Sequence, residues 1–135
     1  MHADIRDRLG SILARAPLRL AVLFGSAATG RQRPDSDLDV AILPITHGAE
    51  IDDLSLQSAL TLGAGREVDL LRIDHASTLL KWQIAKSAVC LLEAAPGEFA
   101  RFRARAAAEY ADFAPTFERH AEHFRRRLIQ LAERP

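Results

Sequence analysis

The chain has 135 residues, of which 48% are hydrophobic, and its 18 Lys plus Arg residues equal its 18 Asp plus Glu residues. This length fits one domain that can bury a core, and the balanced charge gives no reason to expect direct binding to nucleic acid. The apolar runs are too short to span a bilayer, and the N-terminal segment lacks the apolar stretch of a secretory signal. We therefore predict a single domain, residues 1–135, in the cytoplasm, with no membrane contact.

Hydrophobic spacing predicts alternating helices and strands along residues 1–95. Helices are predicted over residues 4–15, 50–62 and 75–86, and strands over residues 18–24, 37–43, 66–73 and 88–93. Prolines and glycines lie between these segments, where they end helices and form turns. This order indicates an α/β (α+β) domain in which helices flank a small mixed sheet of about four strands.

Residues 96–135 are predicted to form C-terminal helices after the Pro96-Gly97 turn. Two apolar stripes at helical spacing support this prediction. The first stripe comprises Phe99, Phe102, Ala106, Tyr110 and Phe113, and the second comprises Phe117, Phe124, Leu128 and Leu131. A stripe of this width is what a helix buries against a core, so ordinary packing accounts for both.

Gly25 and Ser26 directly follow the first predicted strand. Backbone N–H groups at the start of a helical turn favour anions, and a glycine lets the backbone approach a phosphate closely. The Ser26 hydroxyl supplies one more donor. A Gly-Ser pair after a strand is weak support for a nucleotide site when it stands alone.

Three aspartates lie in or beside strand patterns that are otherwise apolar. Asp37 and Asp39 share one face of the second predicted strand, because alternate side chains point the same way. Aspartate is unfavourable in strands and adjacent like charges repel, so the pair favours a functional role. Asp69 is the third carboxylate; Glu67 shares its face and competes with it, but Asp69 is preferred because apolar residues flank it. One or two carboxylates with substrate phosphates can hold magnesium, and two such ions can assist nucleotidyl transfer.

The segment Leu23-Phe24-Gly25-Ser26, then ten residues, then Asp37-Leu38-Asp39-Val40 resembles the Gly-Ser-x10-Asp-x-Asp motif of the DNA polymerase β nucleotidyltransferase superfamily. More narrowly, the sequence resembles the minimal nucleotidyltransferase antitoxins that pair with HEPN-domain ribonuclease toxins. The likeness extends through residues 67–71 and into residues 109–115. Family members often carry Arg where this chain has Thr29, and Arg31 or Arg33 are the candidates to replace it.

This resemblance implies a nucleotidyltransferase fold with catalytic and metal-binding Asp37, Asp39 and Asp69, and with ATP held by Gly25 and Ser26. It also implies two Mg2+ ions and the transfer of AMP to a tyrosine of a cognate HEPN toxin, which silences the toxin. Two alternatives stay open. One is an enzyme that modifies a small molecule, as the aminoglycoside nucleotidyltransferases do, and the other is a non-catalytic antitoxin that acts by binding alone.

Overall fold

The computed structural model describes residues 3–30, 36–46 and 49–133. In these ranges, helices and strands alternate through most of the chain. They are α1 (Ala3–Leu13), β1 (Leu18–Phe24), β2 (Leu38–Pro44), α2 (Asp53–Ala64), β3 (Val68–Arg72), α3 (Thr78–Ser87), β4 (Val89–Glu93) and α4 (Glu98–Ala132). Short 3-10 turns follow β1 and β3, at Gly25–Ala27 and Ile73–His75. Each predicted helix and strand of residues 1–95 is present, with shifted ends.

The strands form one sheet in the order β3-β2-β1-β4. β1 is antiparallel to both β2 and β4, whereas β2 and β3 are parallel. The mixed sheet confirms the predicted fold class. Because β1 ends where β2 and β3 begin, the last residues of β1 and the first residues of β2 and β3 meet at the same end of the sheet.

Helices cover both faces of the sheet. The alternation along β2 was predicted correctly: Leu38, Val40 and Ile42 are buried in the core beneath α1 and α2, while Ala41 is buried beneath α3 and α4. Burying one large aliphatic side chain contributes about 1.5–3 kcal/mol. Each face of the sheet therefore has its own apolar cluster, and β1 and β2 contribute to both.

Two helices begin later than predicted because polar side chains cap them. α2 starts at Asp53, since the Asp52 carboxylate accepts a hydrogen bond from the Ser55 N–H at 3.1 Å. α3 starts at Thr78, where the Ser77 hydroxyl oxygen accepts from the Leu80 N–H at 3.2 Å. Of the residues before α3 that were assigned to it, His75 ends the 3-10 turn and Ser77 caps the helix.

The C-terminal region corrects the prediction of several helices, because residues 98–132 form one continuous helix with Pro115 inside it. Proline removes the backbone hydrogen bond to the carbonyl four residues earlier. Here that carbonyl belongs to Ala111, an exposed residue, so water can satisfy it. Phe113 and Phe117 also contact each other across the proline, with ring centroids 5.7 Å apart.

The two apolar stripes of α4 have different surroundings. Phe102 and Ala106 of the first stripe are buried against the sheet. The second stripe does not pack on the core, which contradicts the prediction: Phe124 is 62% exposed and Leu131 is 55% exposed. Among the described residues, no helix is both long enough and apolar enough to cross a membrane.

Candidate nucleotide and metal site

The predicted site residues come together where β1 ends and β2 and β3 begin. We call this region, formed by Gly25, Ser26, Asp37, Asp39 and Asp69, the carboxylate end of the sheet. Gly25 opens the 3-10 turn after β1, and Asp37 immediately precedes β2. Asp39 and Asp69 are the second residues of β2 and β3. One end of one sheet thus collects residues from three separate stretches of sequence.

The strand register places Asp39 at the centre of this group. Asp39 lies opposite Phe24 on one side and opposite Asp69 on the other. Glu67 lies before the first paired residues, Leu38 and Val68, so it is not beside Asp39. The structure therefore brings Asp69, and not Glu67, next to Asp39. The preference for Asp69 as the third site carboxylate stays a prediction.

The electrostatics of Asp39 reflect its neighbours. Partial burial, followed by the negative charges of Asp69 and then Asp37, raises the pKa of the Asp39 carboxyl above its ordinary value. Three carboxylates are therefore close enough to repel one another in a partly desolvated place. A cation bound among them would relieve this repulsion, which is the arrangement expected of a metal-binding cluster.

Gly25 is in direct contact with the carboxylate group of Asp39. A Cβ atom added at Gly25 would lie 2.7 Å from Asp39 Oδ2, closer than real Cβ contacts come. Its φ of +74° is also in the left-handed region, which other residues adopt only at a cost. Glycine is thus needed at this position both for the turn and for the carboxylate beside it.

Ser26 and Thr29 differ in how they take part in the turn. Ser26 is exposed, and its hydroxyl makes no hydrogen bond with any residue in the described ranges. Thr29 donates its hydroxyl hydrogen bond to the Ser26 carbonyl at 3.2 Å, which ties the turn together. The position that often carries Arg in the family therefore has a local structural role here. Arg31 and Arg33, the suggested replacements, lie outside the described residues.

Sequence reasoning missed Arg66. Its guanidinium donates to the Ser36 carbonyl through Nε at 2.9 Å and also through Nη2. This contact holds the residue before Asp37 against the segment that leads into β3. The signal available in the sequence was an arginine at the start of the third predicted strand, but its partner lies thirty positions away in sequence.

The donor set fits magnesium. In the part of the chain that the structure describes, no three Asp, Glu, His or Cys side chains converge tightly enough to enclose a metal ion by themselves. Magnesium does not require such a cage, because it keeps several waters and uses one or two carboxylates together with substrate phosphates. Exposed Asp37 and Asp69 beside partly buried Asp39 provide hard oxygen donors that are open to such a substrate.

Comparison with known proteins agrees with this geometry. The family model for polymerase beta nucleotidyltransferases matches residues 8–96. The chain is 29% identical over 114 residues to the protein adenylyltransferase MntA of Aphanizomenon flos-aquae, and this alignment covers 76% of each protein. Residues 8–96, which the family model matches, contain every residue of the carboxylate end.

Two solved structures share the fold. One is a toxin–antitoxin crystal structure with AMP-PNP, in which the matched chain is 24% identical with a TM-score of 0.68, over 96% of this chain and 98% of that one. The other is the tri-AMPylated HEPN toxin of Shewanella oneidensis in complex with MNT antitoxin, at 21% identity and a TM-score of 0.63, over 96% and 97% of the two chains. The expected resemblance to the minimal nucleotidyltransferases is thereby confirmed. The chain belongs to the polymerase beta nucleotidyltransferase family.

Proposed function

We propose that this protein is an antitoxin that transfers AMP from ATP to a tyrosine of a cognate HEPN ribonuclease toxin and thereby silences it. Three relatives support the proposal. The Aphanizomenon relative is named a protein adenylyltransferase, one structural neighbour contains AMP-PNP, and another pairs an MNT antitoxin with a tri-AMPylated HEPN toxin. A cytoplasmic location remains a prediction from the sequence.

The observation that carries the proposal is the group of three carboxylates beside a glycine turn. Asp37, Asp39 and Asp69 would hold two Mg2+ ions, which supply charge neutralisation for the triphosphate and for the oxygens that attack and leave. The raised pKa of Asp39 supports this assignment, since clustered carboxylates gain most from a bound cation.

The turn after β1 and the exposed edge strand β3 would bind and orient the substrates. Gly25 keeps the backbone close to Asp39, and the exposed hydroxyl of Ser26 would donate to a phosphate oxygen of ATP. Asp69 is exposed on β3, at an edge of the sheet, so a protein side chain can reach that side of the cluster. The toxin tyrosine hydroxyl would lose its proton to water as its oxygen bonds to the α-phosphorus of ATP. The bond from that phosphorus to the bridging oxygen would break, and pyrophosphate would leave.

The test combines purified protein, the cognate toxin and Mg-ATP, with the AMP adduct measured by mass spectrometry. We expect the wild type and Glu67→Gln to form the adduct and Asp39→Asn to form none. Glu67 is a matched control because it is an acidic residue near the same end of the sheet but not beside Asp39. Asp39→Asn should melt at the same temperature as the wild type or higher, since it removes repulsion among the carboxylates.

Two results would contradict the proposal. Full neutralisation of the toxin in cells by Asp39→Asn would indicate an antitoxin that acts by binding alone. An adduct found on a small molecule but never on the toxin would indicate the alternative small-molecule nucleotidyltransferase.

A further inference from the structure

The C-terminal half of α4 leaves the compact part of the molecule. Tyr110 stacks on Trp82 of α3, with ring centroids 5.2 Å apart and planes inclined by 11°. The described hydrogen bonds and ion pairs of side chains beyond residue 113 all lie within α4 itself. We call residues 111–132 the projecting segment; at 1.5 Å per residue it is about 33 Å long.

Apolar side chains along this segment follow a coiled-coil spacing. Counted from Tyr110, they recur after four and three residues in alternation: Tyr110, Ala114, Phe117, Ala121, Phe124, Leu128 and Leu131. A repeat of 3.5 residues is the pattern by which two helices keep one seam in contact. The large members are open to solvent, with Phe117 37% exposed and Leu128 50% exposed. This seam therefore lacks a partner among the described residues.

The seam matches itself when two copies run antiparallel. In that arrangement Ala114 lies opposite Leu131 of the second copy, Phe117 opposite Leu128, and Ala121 opposite Phe124. Two of these three layers place an alanine against a large side chain, which fills space evenly. A parallel pair would instead place Phe117 and Phe124 against their own copies and leave a gap at the Ala121 layer between them.

Charges beside the seam favour the same arrangement. Glu118 follows Phe117, and Arg125 follows Phe124, so both lie on the same flank of the helix. When the helices are antiparallel, Glu118 of each copy lies beside Arg125 of the other and the pair can form two ion pairs. Both residues lie between the layer of Phe117 with Leu128 and the layer of Ala121 with Phe124. A parallel pair would bring Arg125 beside His120 instead.

The length of the projecting segment also suits this pairing. With Ala114 opposite Leu131, each helix would end near the point where the Trp82–Tyr110 contact joins the partner's α4 to its own α3. The whole segment is covered, and the two compact parts lie at opposite ends of the helix pair without meeting. Each carboxylate end, which is built from β1, β2 and β3, is left outside the contact.

From these observations we propose that the projecting segment pairs antiparallel with the same segment of a second copy of this chain. The dimer holds two nucleotidyltransferase domains about 33 Å apart, at either end of a two-helix coiled coil. This inference concerns a surface of the protein that takes no part in nucleotide transfer, and it stands independently of the proposed function.

The test is sedimentation equilibrium of the full chain over a range of micromolar concentrations. We expect the wild type to dimerise and Phe124→Glu to lower the association constant at least ~100-fold, because the variant places a charge in the seam. Ile129→Glu is the matched control: Ile129 is 58% exposed on the same helix but lies off the seam, so this variant should still dimerise. Circular dichroism checks that the variants keep their helix content.

Charge reversal tests the antiparallel geometry directly. Glu118→Arg alone and Arg125→Glu alone each place like charges in both ion-pair positions, so each variant should dimerise more weakly than the wild type. An equimolar mixture of the two should recover dimers, because each mixed pair restores two opposite-charge contacts.

Three results would overturn the proposal. The first is a wild type that stays monomeric throughout the concentration range. The second is a mixture of the two charge variants that associates no better than either alone. The third is a Phe124→Glu variant that associates as well as the wild type but loses affinity for the HEPN toxin, since the seam would then be a binding surface for that protein.

Discussion

The compact part of the molecule, residues 3–110, and the projecting segment use similar sequence patterns under different physical conditions. In the compact part, apolar stripes are covered on both faces of a sheet, and charged groups from distant positions meet. In the projecting segment, an equally regular stripe is open to water. Its ion pairs join residues three or four positions apart, as Arg125 and Arg126 do with Glu122.

This difference shows that helical periodicity alone does not reveal what a helix face packs against. Phe102 and Phe124 both belong to apolar stripes of α4, yet the first is 9% exposed and the second 62% exposed. Packing within one chain accounts for Phe102. The second stripe stays exposed in the single chain. The five predictions below test how sharply the two regions differ.

The largest difference is expected for core truncation. Leu60→Ala, at a fully buried position of α2, should lower the free energy of unfolding by about 2–5 kcal/mol because it leaves a cavity. Leu128→Ala, at a half-exposed position of the projecting segment, should change it by less than about 0.5 kcal/mol. Urea unfolding at low protein concentration, where self-association is absent, measures both. Equal losses would mean that the projecting segment is part of the core.

A smaller effect is expected in the turn beside the carboxylates. Gly25→Ala and Gly30→Ala both force alanine into the left-handed region, at φ +74° and +75°, but only the Gly25 Cβ meets Asp39. Displacement of that carboxylate should slow AMP transfer by about 100-fold, whereas Gly30→Ala should change the rate only a few-fold. Comparable rates for the two variants would show that backbone strain, not the contact with Asp39, decides activity.

Removal of an ion pair should also lower the free energy of unfolding more in the compact part than in the projecting segment. Arg72 donates to both carboxylate oxygens of Asp74, at 3.0 and 2.9 Å, and to Asp53 of α2 at 3.2 Å. Asp74→Asn should therefore cost about 1–2 kcal/mol at pH 7. Glu122→Gln, which removes two exposed ion pairs within one helix, should cost less than about 0.5 kcal/mol.

The Asp74 contribution should depend on pH with a defined sign. The hydrogen bonds from Arg72 hold the pKa of Asp74 below its ordinary value, so the folded state binds this proton less readily than the unfolded chain. The advantage of the wild type over Asp74→Asn is then complete above about pH 4, the ordinary range of an aspartate. It should decline as the pH falls through the lower folded-state pKa. Urea unfolding of both proteins from pH 7 to pH 2 measures the difference, and a constant difference would contradict this assignment.

The smallest effects concern aromatic pairs. A double-mutant cycle on Trp82 and Tyr110, using leucine at each position, should give a coupling of about 1 kcal/mol, since the rings stack between two helices. The same cycle on Phe113 and Phe117, neighbours on one helix, should give about 0.2–0.5 kcal/mol. Thermal unfolding measures both cycles, and a larger coupling in the second would place the boundary of the compact part beyond Tyr110.

The carboxylate end shows how far sequence reasoning reaches within the fold. Strand alternation correctly placed Asp39 on the face opposite Val40. The structure sets Asp69, not Glu67, beside Asp39, and the role of Asp69 as the third site carboxylate stays a prediction. Arg66 was missed because its role depends on a contact with the Ser36 carbonyl, and no local pattern encodes that distance. The metal-binding roles of the three aspartates remain predictions.

By itself, the sequence determined the helices and strands, the fold class, the family and the residues of the carboxylate end. These depend on local periodicity and on a motif with fixed spacing. Both can be recognised along the sequence without knowing which residues meet after folding. Only the tertiary structure decided the register that sets Asp39 beside Asp69, the continuity of α4 through Pro115, and which of its stripes is covered. These features depend on the surfaces that meet after folding, and the same apolar spacing is compatible with a buried face or an exposed one.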